Sequence, residues 1–231
     1  MLKFYPQKGQ IPKTGEIWQL VGEKRQLVMA HLFDIERVRQ FVPSELQIVS
    51  ALPGKTLGHI FLGCFGSGST IEYHELAISP ATVKVNRFKG FWISHQFVDS
   101  EKSLEGGRKS LGLPKEMMEI QWQGDKSGNV DVLQEDQSIL KINYKKSSPG
   151  YIKFNLKVYI VSMLDNMIIH YGNKLNANWS FCKTEYEFPK KSLLADDLKK
   201  MGLGKPFIAL CGKNMIGEAA FDTKAVAFLP R

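Results

Sequence analysis

Gly106-Gly107-Arg108-Lys109-Ser110-Leu111-Gly112-Leu113-Pro114-Lys115-Glu116 is where this chain turns from helix-like to strand-like sequence. Its glycines, proline and apolar flank hold one amine, that of Lys115, in a defined setting. Proline fixes its own φ and restricts the residue before it, so Leu113-Pro114 gives Lys115 a constrained starting point. A lysine in water titrates near ~10.4, so at pH 7 only roughly one amine in a few thousand is free to attack a carbonyl. A nucleophilic lysine therefore needs its ammonium form destabilised, by apolar burial or by a neighbouring cation. Leu113, Met117 and Met118 are the expected apolar surroundings, and holding the amine near neutrality would cost the ammonium about 4 kcal/mol relative to water.

Outward from this stretch, three segments stand in order: Phe41-Val42-Pro43 followed by Leu46, then Tyr73-His74-Glu75-Leu76, then Gly107-Arg108 leading to Gly112-Leu113-Pro114-Lys115. With them the chain, from roughly Gln19 to Trp122, resembles the acetoacetate decarboxylase family. The resemblance implies an α+β, mostly β fold: a curved sheet or cone-shaped β-barrel with a few peripheral helices. It also implies that Lys115 forms a Schiff base with a small β-keto acid, and that Glu75 handles protons. Arg25 (or Lys24, with the register open by one residue) falls where the family has a site arginine. Tyr73 is a further site candidate. Arg108 offers a two-donor fork for a substrate carboxylate, or for a structural acid.

Two positions depart from the family. The well-known decarboxylases carry a second lysine after the nucleophile, where this chain has Glu116, and their additional acid has no clear counterpart around His59-Ile60-Phe61. On a strand, successive side chains point to opposite faces, so Glu116 would face away from Lys115 and desolvation would have to activate the amine. The same alternation puts Tyr73 and Glu75 on one face and His74 on the other. Glu119, ~13 Å along the strand from Lys115 at full extension, is too far for direct proton transfer.

The rest of the sequence bounds the alternatives. Its 231 residues, 43% hydrophobic and 23% charged, suit a single domain over 1–231 with a sizeable core. The net charge of +8 comes from dispersed basic residues, with only short pairs such as Lys145-Lys146 and Lys190-Lys191. That pattern suits a small anionic keto-acid substrate and argues against nucleic acid. Cys64, Cys182 and Cys211 have no CxxC spacing, and the five histidines show no HxH or HExxH, so neither disulfides nor a metal is expected. No cofactor is implied. Gly66-Ser67-Gly68-Ser69-Thr70 lacks the GKS/T ending of a phosphate loop and reads as a hairpin turn. Without an apolar run of about 18 residues or a signal sequence, a cytoplasmic protein with no membrane association is expected, and the resemblance, with many strands whose edges need cover, implies a homo-oligomer.

Strand-like runs cover Glu16 to Leu20, Gln26 to Phe33, Gly58 to Phe65, Thr70 to Ile78, Thr82 to Arg87 and Phe91 to Val98. Later ones are Met117 to Gln123, Asn129 to Glu135, Ser138 to Tyr144, Tyr151 to Val161, Asn178 to Phe188 and Ala219 to Phe228. Asp34 caps a helix that ends before Pro43, and Ser192 caps one through Met201, stopped by Gly202. A third helix starts at Asp99 or Ser100, with Gly106-Gly107 expected to interrupt it. Three functions remain open: a decarboxylase, an aldolase or dehydratase using the same lysine, and a non-catalytic β-barrel that binds a small ligand.

Overall fold

A computed structural model describes residues 5–22, 25–124 and 127–230. The first half of the chain lays down β1 (Trp18–Gly22), β2 (Gln26–Asp34), α1 (Ile35–Val38) with a 3₁₀ turn over Arg39–Phe41, and β3 (Gln47–Ile48). These are followed by β4 (Lys55–Phe65), β5 (Tyr73–Ser79), β6 (Ala81–Val85), β7 (Phe88–Trp92), β8 (His95–Val98) and α2 (Glu101–Leu111). The second half holds β9 (Lys115–Met117), β10 (Glu119–Gly124), β11 (Ser127–Gln134) and β12 (Gln137–Lys146). It ends with β13 (Ile152–Leu164), β14 (Met167–Glu187), α3 (Leu193–Met201) and β15 (Ile208–Phe228).

The caps form where side-chain acceptors precede the helices. Asp34 accepts from the backbone N–H of Glu36 and Arg37, and Ser192 from that of Ala195. Gly112 and Gly202 close α2 and α3 in the left-handed region, at φ 59° and 78°. The helix from Ser100 differs from expectation, because α2 continues straight through Gly106-Gly107 to Leu111.

Among the described residues fifteen strands join one sheet, whose main path runs β3-β6-β7-β13-β14-β15-β2-β4-β5-β8-β9, with β10, β11 and β12 branching from β14 and β1 from β15. Among the described residues the ends of this path, β3 and β9, do not pair, so the sheet is curved and open rather than a closed barrel. The curvature comes from β14 and β15, 21 residues each, whose pairing shifts register at Ile168/Ile169, His170/Gly172, Gly172/Lys174 and Asn176/Asn178. Each irregularity adds local bend and twist. One strand can then serve two parts of the sheet: β14 pairs β13 and β15 through its first two thirds and β12 through its end. The expected run from Phe91 to Val98 is split, β7 pairing β6 and β13 while β8 pairs β5 and β9.

Period-two alternation sorts the strands into two cores. Ile60, Leu62, Leu76 and Ile78 pack on one face with Leu27, Met29, Val130 and Leu198. Phe61, Phe65, Tyr73 and Ala77 pack on the other with Trp18, Leu111, Ile160, Tyr171 and Trp179. Each fully buried aliphatic or aromatic side chain contributes roughly 1.5–3 kcal/mol, so both faces are committed and a one-residue slip of β4 or β5 would invert them. The second core is the one with a hole in it. Among the described residues, no helix is long and apolar enough to cross a membrane.

Candidate active site

The hole is a cavity of about 190 Å³ on the second face, lined mainly by aliphatic and aromatic side chains from β1, β2, β4, β5, β7, β13 and β14. Three short elements bring its chemistry together. The strands β5 and β8 pair Glu75 with Val98 and Ala77 with Gln96, and β8 and β9 run parallel with Gln96 beside Lys115. Glu75, Gln96 and Lys115 therefore come to one wall. Helix α2 packs behind them with a strip of small buried residues, Ser103, Gly106, Gly107 and Ser110.

That strip explains why the helix is not broken. A Cβ on Gly107 would stand 2.5 Å from Lys115 Cδ and 2.6 Å from Cε. One on Gly106 would stand 3.0 Å from the Trp18 ring. Two glycines inside a helix cost about 1 kcal/mol each relative to alanine. The cost leaves a groove in α2 along which the Lys115 side chain lies.

Lys115 is 2% exposed. Its Nζ donates to Ser103 Oγ at 2.8 Å and lies 4.9 Å from the Tyr73 ring centre and 5.0 Å from that of Trp18. Burial strips water from the ammonium and pulls its pKa down to about 8, while the Glu75 charge opposes this. At pH 7 roughly one amine in ten is then unprotonated, against one in a few thousand in water. Glu75 is buried too, and desolvation pushes its carboxyl above the ordinary range against the charge of Lys115 and hydrogen bonds from Gln96 and Tyr73. Gln96 Nε2 donates to Glu75 Oε2 at 2.9 Å and fixes the carboxylate. Tyr73, wholly enclosed, faces Glu75 and Ser103, and its hydroxyl is held well above its usual pKa by desolvation and then by the Glu75 charge.

Lys115, Glu75 and Tyr73 thus share one cavity. Arg108 does not line it. Its Nε donates to the Lys115 backbone carbonyl at 2.7 Å, so it anchors the strand that carries the amine. Arg25 is on the opposite side of the sheet, against Cys64, His74 and Trp122, because β2 enters the sheet at Gln26 and turns Arg25 outward. Lys24 lies outside the described residues. Glu116 is exposed while Lys115 is buried, as strand alternation requires. Met117 and Met118 are not the surroundings of the amine: Met117 is 47% exposed and Met118 packs on the first core. Leu113 does line the cavity, but the close apolar contacts come from Trp18 and Tyr73.

Sequence reasoning missed Ser103, Gln96 and Trp18. Ser103 had a readable signal, since it precedes Gly107 by one helical turn and shares its face. Gln96 had a weaker one, its alternation with the buried Val98 in β8. Trp18 is brought in only by the pairing of β1 with the far end of the chain, Trp18 opposite Ala219. Among the described residues no group of three or more His, Cys, Asp or Glu side chains could hold a metal ion.

The profile of the family described as acetoacetate decarboxylase (ADC) matches residues 5–150. The fold is similar to that of the enduracididine biosynthesis enzyme MppR complexed with pyruvate, with a TM-score of 0.69 at 13% identity over 96% of this chain and 98% of that one. It is similar also to acetoacetate decarboxylase from Legionella pneumophila, with a TM-score of 0.66 at 13% identity over 98% and 90%. In sequence the chain is 33% identical over 100 residues to Protein NEOXANTHIN-DEFICIENT 1 of Oryza sativa subsp. japonica, which is 43% of this chain. The chain spans about a third (32%) of the length of that curated relative.

Proposed function

The chain belongs to the acetoacetate decarboxylase family, and on that premise we propose that it is a lyase working through a Schiff base on Lys115. The observation that carries this reading is the burial of Lys115 opposite Glu75, with the amine pulled down to about pH 8 in an apolar cavity. The free amine attacks a substrate carbonyl carbon to give a carbinolamine, and loss of water leaves a protonated imine. With a β-keto acid, the bond to the carboxylate then breaks. Its electron pair flows into the imine to form an enamine, and carbon dioxide leaves. Glu75, raised toward its protonated form, returns a proton to the enamine carbon, and water releases the product.

A second reading, aldol, retro-aldol or dehydration chemistry through the same imine, is favoured by one feature: the family's second lysine is replaced by the outward-facing Glu116. Both readings predict the same first step. The test is incubation with acetoacetate or pyruvate, reduction with borohydride, and mass spectrometry of the peptide containing Lys115. A mass increase there that Lys115→Ala abolishes supports both enzyme readings. Its absence across a panel of keto acids leaves the non-catalytic binding protein. Carbon dioxide release measured against condensation products then divides the two enzymes.

The thiols of Cys64, Cys182 and Cys211 support a reducing compartment such as the cytoplasm. Exposed Ile152, Ile216 and Phe228 on the long strands support assembly of copies, which light scattering would measure.

A further inference from the structure

The composition of the cavity wall bears on the substrate itself. Among the described residues only two charged side chains line it, Lys115 and Glu75, and they face each other. Arg108 and Arg25 both lie outside it. His59, the remaining basic candidate on the wall, is kept neutral by burial, with a pKa of about 4. A substrate carboxylate would thus meet no cation beyond the amine it reacts with. Most of the wall is hydrocarbon, including Leu57, Phe91, Leu156, Val158, Ile160 and Leu175.

The shape is also larger than a short keto acid needs. At about 190 Å³ the cavity exceeds the ~150 Å³ that suffices for benzene in an engineered apolar core. It is elongated along β4. Glu75 is paired with Gly63, whereas His59, which also lines the cavity, lies four residues earlier on the same face. At ~3.3 Å per residue this is about 13 Å of wall beyond the Glu75 row. Phe61 lies between, and Ala30, paired with His59, lines the far end. The small side chain of Ala30 leaves that end open.

We propose that the substrate is a carbonyl compound with an extended apolar chain, its carbonyl carbon at Lys115 and its chain running past Phe61 toward His59 and Ala30. The proposal rests on the Schiff-base reading for the carbonyl end and on the wall alone for the chain. Each buried methylene contributes about 0.8 kcal/mol, which is roughly fourfold in affinity.

The test uses the full chain and a series of straight-chain aldehydes, butanal, heptanal and nonanal, with acetoacetate and pyruvate alongside. Cyanoborohydride traps the imine, and the Lys115 peptide is quantified by mass spectrometry, with Lys115→Ala reporting the background reaction at surface lysines. The half-saturating concentration is expected to fall roughly fourfold per methylene, and nonanal to be captured at lower concentration than either keto acid. A flat chain-length series, or tighter capture of the small acids, overturns the proposal. Nonanol, which has no carbonyl, separates the two ends: calorimetry should show it binding more tightly than butanol. Failure of nonanol to bind overturns the apolar chain even if pyruvate is trapped. Binding of nonanol with no aldehyde trapped supports the apolar occupant and sinks the lysine chemistry. Ala30→Phe should remove the gain from heptanal to nonanal, and an unchanged gain would overturn the proposed path of the chain.

Discussion

His74 and Glu75 are neighbours in the chain, and each faces a partner of opposite charge, yet the two pairs behave in opposite ways. Glu75 points into the cavity toward Lys115, and desolvation is the largest influence on both groups. It raises the carboxyl and lowers the amine, drawing each toward its neutral form. His74 points to the other face, where its Nδ1 lies 2.6 Å from Asp99 Oδ2 and its backbone N–H donates to Asp99 Oδ1 at 2.7 Å. There the hydrogen bond to Asp99 outweighs desolvation and holds the imidazole charged, its pKa pushed up to about 10. A strand with one dry face and one half-wet face thus places a desolvated pair and a hydrogen-bonded pair on adjacent residues. The difference lies in which influence is larger, burial or hydrogen bonding.

The strongest way to break this comparison is Glu75→Gln, which keeps the shape of the dry pair and removes its charge. Turnover should fall by roughly 10²–10⁴, the usual contribution of a positioned proton donor. The pH midpoint for imine trapping should move below about 8, because the Glu75 charge now holds the ammonium up against desolvation. In wild type, trapping should rise as pH climbs through about 8 and the free amine accumulates. An unmoved midpoint in the variant would mean that the two groups do not sense each other. Gly107→Ala has a smaller expected effect, as it displaces the amine without changing any charge. Alanine favours the helix by about 1 kcal/mol, so α2 should persist by circular dichroism. Its Cβ, however, would stand 2.5 Å from Lys115 Cδ, and a displacement near 1 Å should cost about 10² in trapping rate. Undiminished trapping would show that the groove in α2 does not position the amine.

The same two faces explain what could be read from the sequence. Alternation alone separates His74 from Glu75 and Lys115 from Glu116, since period two is a local property of an extended chain. The caps at Asp34 and Ser192 were legible for a similar reason, as an acceptor immediately before the first turn acts locally. Gly106-Gly107 was misread because helix propensity penalises glycine, while the reason for glycine here lies in Trp18 and Lys115, which arrive from other elements. Arg25 was assigned to the site from family register, but its side depends on where β2 enters the sheet. Met117 and Met118 are near Lys115 in sequence, whereas Trp18 and Tyr73 approach it through pairing across the chain. The early parts of β14 and β15 are rich in Lys, Asn and Gly, so residues 167–177 and 208–218 carried little strand signal. They are strands because β13, β1 and β2 pair with them.

The smallest effect belongs to the wet pair, and its value is in its sign. Asp99→Asn keeps an oxygen for the His74 backbone N–H and removes the charge that holds the imidazole protonated. A group whose pKa is higher folded than unfolded stabilises the fold fully below the unfolded value, near 6.5 for histidine. That contribution fades as pH rises toward the folded value, here about 10. Because His74 and Asp99 are partly exposed, with side chains 34% and 28% accessible, solvent screening limits the loss to about 1 kcal/mol or less. For a chain of this length that is a drop of about 2–4 °C in Tm at most. The drop should be largest near pH 6 and vanish near pH 10 in thermal melts, with trapping at Lys115 unaltered throughout. A deficit independent of pH would mean that Asp99 acts on the strand end through geometry alone. A change in trapping would mean that the sheet does not insulate its two faces, and the contrast between adjacent residues would then have to be explained by coupling through β5.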